Sequence, residues 1–193
     1  KFRTEIKIPK YPFQILPDSK MLFLGSCFAD NIGNFFIDHE VNACVNPFGS
    51  LYNPASIALA LNFLINPDSY SDEYIYNFNN QWISFSHSTK FSHNDKSMFL
   101  NNIQEQLQYS SSFLSQTDFV FITLGTAFVY NFIPRNLIVA NCHKIPNTQF
   151  LKTMLQVDDV VKTLSAILQS LKLMLPNLKI VFTISPIRHL SDG

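Results

Sequence analysis

Apolar residues fill Met21, Leu22, Phe23 and Leu24, and then the rhythm changes: after Ala29, Ile32, Phe35 and Phe36 recur at helical spacing. The switch falls on Gly25-Ser26, so the pattern predicts a buried strand over residues 20–25, a sharp turn, and a helix reaching about Asp38. Val41–Val45 is a short second strand and Asn46-Pro47-Phe48-Gly49 a turn. Pro54, with its φ already suited to a first helical residue, opens a helix to about Ile65. Tyr74–Phe78 and Gln81–Phe85 flank Asn79-Asn80 as a hairpin. Asn94 or Asp95 caps a long helix with Phe99, Ile103, Leu107 and Leu114 on its inner side. Phe119–Leu124 is a continuous apolar strand, and residues 127–140 form a second hairpin across Pro134-Arg135-Asn136. Val157, Val160, Val161, Leu164, Ile167, Leu168 and Leu171 mark the cleanest helix, and Leu178–Ile184 the last strand. Residues 1–19, with three prolines, are an irregular arm.

Four apolar strands separated by helices predict an α/β protein with a mostly parallel sheet covered on both faces, the two hairpins being insertions. Open sheets of this kind bind ligands outside the carboxyl ends of their strands, where the strand order reverses. Ser26, Asn46 to Gly49, Gly125-Thr126 and Ser185 to His189 all fall at such ends. A serine before a helix is most often only an N-cap. At a strand-to-helix turn, however, its hydroxyl is also held clear of the sheet beside the first helical amides, as in serine hydrolases.

Composition narrows the possibilities. The 193 residues, 47% hydrophobic and 15% charged, suffice for one buried core and are too few for two ordinary domains. The 14 basic and 14 acidic residues cancel, so no basic field marks a nucleic-acid surface. Three cysteines without close pairing give neither a disulfide framework nor zinc spacing, and no metal or cofactor is expected. The first residues carry no apolar signal core, and no segment has the length of a membrane span, so a reduced, cytoplasmic protein is expected.

Gly25-Ser26-Cys27-Phe28-Ala29 spells the signature of the GSCFA domain family. Asn46-Pro47-Phe48-Gly49 with Leu51-Tyr52-Asn53-Pro54, then Thr123–Ala127, Asn141-Cys142-His143-Lys144 and Ser185-Pro186-Ile187-Arg188-His189, resemble its further blocks in order. That family is placed with the SGNH (GDSL-like) hydrolases. The resemblance implies a three-layer, flavodoxin-like fold and acyl-ester hydrolysis, often on decorated carbohydrate, so the expected partner is a small-molecule or glycan ester. It implies Ser26 as nucleophile and Gly49 as the second-block glycine whose amide helps bind the oxyanion. The third block normally offers Gly-x-Asn; here it reads Gly125-Thr126-Ala127, which leaves Thr126 or Asn141 as the replacement donor.

The family's base comes from an Asp-x-x-His, and none follows the last strand here, so the resemblance implies a domain that continues beyond Gly193. A sheet lacking its final strand would expose an edge and tend to self-associate. Within the chain His189 is the first candidate base and His143 the second, with Arg188 a candidate contact for a carboxylate or phosphate. His39, His87 and His93 read as solvated positions, and Cys27 ranks below Ser26 as a nucleophile. The expected alternatives to a hydrolase are a catalytically silent domain that binds carbohydrate or protein, and an acyltransferase using the same residues.

Overall fold

The structure is a computed structural model that describes residues 10–184. Its regular elements follow in chain order. β1 (Met21–Gly25) leads into α1 (Cys27–Asp38), and β2 (Ala43–Val45) into α2 (Pro54–Ile65). β3 (Ile75–Phe78) and β4 (Gln81–Ser84) precede the long α3 (Lys96–Leu114). β5 (Phe119–Leu124) is followed by β6 (Phe128–Phe132), β7 (Leu137–Val139) and β8 (Phe150–Met154), and the described chain closes with α4 (Val157–Met174) and β9 (Lys179–Ile184).

β1, β2, β5 and β9 form one parallel sheet in the order β2-β1-β5-β9, with Met21 level with Ala43 and Phe119, and Phe119 level with Lys179. Alternation along β1 sorts its residues onto two cores. Leu22 and Leu24 face a large cluster in which Val120 and Ile122 meet Leu61 and Leu64 of α2, Leu107 of α3, and Leu164, Ile167 and Leu171 of α4. Met21 and Phe23 face the other way, onto Ala29, Ile32 and Phe36 of α1. Each large side chain so buried stabilises the fold by roughly 1.5–3 kcal/mol. Side-chain caps fix where the helices begin: Ser26, Asn53 and Asp95 accept from Phe28, Ser56 and Met98 N–H.

The expected second hairpin is larger than its pattern suggests. β6 pairs with β7 as foreseen, but β8 adds to its other edge, giving a three-stranded antiparallel sheet. In β8 one buried residue, Phe150, is followed by four exposed ones, so no alternation marks it. The two insertions also share a core of their own: Ile83 and Phe85 from the first pack on Phe132, Val139, Ile145 and Phe150 of the second. Among the described residues no helix is long and apolar enough to cross a membrane.

Candidate active site

Gly25 ends β1 at φ +135°, and a Cβ built there would stand 2.1 Å from the Thr123 carbonyl oxygen, so only glycine lets the chain pass β5 this closely. Ser26 comes next, buried and at the head of α1. Its amide donates to Thr123 Oγ1 at 2.8 Å and to Thr123 O at 3.1 Å. Its hydroxyl lies 3.1 Å from Thr123 Oγ1 and accepts the Phe28 N–H at 3.4 Å. The serine is therefore a real N-cap as well as the residue that the strand end presents.

A second loop braces this turn. Asn46, just past β2 in a left-handed conformation (φ +41°), uses its side chain twice. Its Oδ1 accepts the Gly25 N–H at 2.8 Å and its Nδ2 donates to Asp30 Oδ1 at 2.8 Å. Ser50 Oγ donates to the other Asp30 oxygen at 2.6 Å. The Gly25 carbonyl in turn accepts from Leu51 N–H at 2.7 Å.

Beside Gly125 opens a cleft of about 320 Å³, whose lining includes Tyr52, Asn53, Gly125, Thr126, Tyr130, Val139 and Cys142. A Cβ built on Gly125 would lie 3.5 Å from Ser26 Cβ and 3.1 Å from Tyr52 Cδ1, which places the serine against the cleft's glycine wall. Thr126 Oγ1 accepts the Phe128 N–H at 3.1 Å, leaving its own proton to be donated.

Thr126 thus lines this cleft, and Ser26 lies against its Gly125 without itself lining it. Asn141 sits between two cleft residues, Ala140 and Cys142, with its Oδ1 holding the His143 N–H at 2.7 Å. Gly49 is elsewhere. At φ +78° it lines a separate cavity of about 270 Å³ with Asp30, Asn34, Asn46, Lys90 and Gln106. Its amide donates to the Asn46 carbonyl at 2.7 Å. The expectation that the Ser26 and Gly49 amides bind the oxyanion is therefore not met in this conformation: one is committed to Thr123, the other to the turn.

His143 is buried at a positive φ of 50°, followed by Lys144 at 62°. Two consecutive left-handed residues that are not glycine cost backbone energy, which the surrounding contacts must offset. Its Nε2 sits 2.7 Å from the Ser84 carbonyl, which can only accept, so Nε2 carries the proton. Its Nδ1 is buried without a hydrogen-bond partner. Burial pushes the His143 pKa below the usual imidazole value, against the opposing pull of the Ser84 and His87 carbonyls. Among the described residues no histidine bonds to Ser26. Arg188 and His189 lie outside the described residues.

The sequence pattern missed one cluster. His87, expected in solvent, is 1% exposed, its ring 4.7 Å from both Phe48 and Phe91. Its Nδ1 meets Ser84 Oγ at 2.7 Å and Ser86 Oγ at 3.1 Å. Ser84 Oγ also accepts the Tyr70 hydroxyl at 3.0 Å. Desolvation, with His143 nearby, lowers the His87 pKa to about 3, and desolvation raises that of Tyr70 to about 12. Three serines among aromatics in Ser84-Phe85-Ser86-His87-Ser88 are the sole sign of this in the sequence. His39 and His93 bond locally on exposed surface, to the Phe35 carbonyl and the Asp95 backbone. Among the described residues no three His, Cys, Asp or Glu side chains gather as metal ligands.

An α/β protein with a capped serine at a parallel strand end is the class that fold and site define. The model of the GSCFA family matches residues 20–193, and the chain belongs to that family. No curated protein and no solved structure matches it.

Proposed function

We infer that this protein is a serine esterase of the SGNH type, acting on acyl esters and, by analogy with that superfamily, on acylated carbohydrate. The observation that carries the reading is Ser26 itself. It stands at a strand end with its Cβ next to Gly125 of the cleft lining, with a hydroxyl partner in Thr123 and a helix N-terminus beside it. The sheet order supports the superfamily: numbered among themselves, the four parallel strands run second-first-third-fourth, the order of flavodoxin-like folds up to their fourth strand.

In this reading Ser26 Oγ attacks the ester carbonyl and its proton passes to a histidine of the last block, for which His189 is the candidate in this sequence. His143 is the poorer base, being held on Ser84 with its free nitrogen enclosed. Thr126 Oγ1–H is the donor that the cleft lining offers for the oxyanion. The histidine returns the proton to the departing alcohol, and water then releases the acyl group from Ser26. Transfer to another alcohol in place of water uses the same residues.

The engaged Ser26 and Gly49 amides favour a second reading, a silent domain that binds carbohydrate or protein in the same cleft. A fluorophosphonate probe on the intact natural protein separates the two. Labelling that disappears in Ser26→Ala, with the circular dichroism unchanged, supports the esterase. Failure of the wild-type protein to label overturns it in favour of binding.

A further inference from the structure

We propose that Asp30 and Asn46 are positioning residues that lock the peptides on either side of Gly25 and thereby aim the Ser26 hydroxyl; the catalytic consequence rests on the esterase reading, the geometry does not. Two successive peptide groups leave the end of β1, and three of their polar groups are held from outside the strand. The Gly25 N–H goes to Asn46 Oδ1, the Gly25 carbonyl to Leu51 N–H, and the Ser26 N–H to Thr123. The backbone ladder between β1 and β2 pairs residues only as far as Phe23 with Val45. Beyond it the Asn46 side chain does the work that the next strand residue would do.

A side-chain amide can face either way, and Asp30 decides which. A carboxylate only accepts, so the NH₂ of Asn46 must point to Asp30 and its carbonyl oxygen to Gly25. Ser50 fixes the carboxylate by its second oxygen. Asp30 also lies in the first turn of α1, where negative charge is favoured, so the helix that begins at Ser26 carries its own brace. In the chain from Ser50 through Asp30 and Asn46 to Gly25, Asn46 is buried at 6% exposed while Asp30 and Ser50 are half-buried. A nucleophile must be held within about half an ångström of its productive place, and this chain sets that tolerance.

The test uses three variants of the intact protein: Asp30→Ala, Asn46→Asp, which removes the NH₂ and sets two carboxylates together, and the milder Ser50→Ala. Hydrogen exchange of the peptide spanning Leu24–Ala29 reads the clamp without reference to catalysis. Fluorophosphonate labelling rate reads its consequence. Exchange at Gly25 and Ser26 is expected to quicken about tenfold in Asp30→Ala and Asn46→Asp, and less in Ser50→Ala, with α3 unchanged. Labelling is expected to slow by at least about tenfold in the same order. Unchanged exchange at Gly25 and Ser26 overturns the clamp, as does a loss of protection spread evenly over the chain in all three. Local exchange loss in a protein whose wild-type form never labels upholds the clamp and overturns the esterase.

Discussion

Ser26 and Thr123 are joined through three contacts: the Ser26 amide reaches both the carbonyl and the hydroxyl of Thr123, and the two hydroxyls lie 3.1 Å apart. One residue of β5 therefore sets both the backbone and the side chain of the candidate nucleophile on β1. Both residues are buried, so water cannot substitute freely for either partner.

Thr123→Val keeps the shape and removes the hydroxyl. The Ser26 hydroxyl and half of the amide's bond then lack a buried partner, and urea titration is expected to show a loss of about 1–2 kcal/mol. Thr123→Ser restores the oxygen and should lose less. Equal losses in the two variants would mean that packing of the Thr123 methyl, not its hydroxyl, matters.

His87 makes the fold acid-sensitive. Its folded pKa, about 3, lies below the ordinary 6.5. Above the ordinary value both states are neutral and His87 has no effect on stability. As pH falls below it the unfolded chain takes up a proton that the folded protein refuses. Stability is then lost down to about pH 3, by at most about 1.4 kcal/mol per pH unit. His143, also lowered, adds a loss of the same sign. Urea midpoints of the wild-type protein should fall more steeply with acid than those of His87→Gln. Identical slopes would show that His87 is not buried as a neutral ring.

The cysteines should react in the order of their exposure. Cys27 is exposed beside Ser26, Cys142 is half-buried in the cleft wall, and Cys44 is buried. Desolvation raises the thiols of Cys44 and Cys142 to about 11, leaving roughly one in a thousand ionised at pH 8. Iodoacetamide followed by peptide mass spectrometry should find Cys27 modified first and Cys44 untouched in the native protein. Early modification of Cys44 would contradict its place in the core.

The parallel sheet was legible because its four strands are apolar runs bounded by turns, α1 and α3 because caps and periodicity agree on them, α2 from Pro54 at its first position and α4 from periodicity alone. Ser26 was legible from Gly25 and the change of period after Ala29. What stayed hidden depends on distant partners. β8 shows no alternation because most of its side chains face water, and it becomes a strand only through pairing with β6. His87 reads as polar locally but is enclosed by Phe48 and Phe91 and answered by Ser84 and Ser86. The commitment of the Ser26 amide to Thr123, 97 residues away, has no local signal at all.

The lining of the cleft reaches into two cores: Ala140 packs against the large cluster of the parallel sheet, and its neighbour Val139 lies in the core of the insertions. Gly125 follows directly on β5 of the parallel sheet, while Val139 is a cleft wall and also a member of the cluster that Phe85 and Phe132 build between the insertions. A substitution such as Phe132→Leu, made far from Ser26 in the chain, would therefore change the cleft's lining and leave the Ser26–Thr123 contacts alone. The shape of the cleft and the seating of Ser26 can therefore change independently of one another.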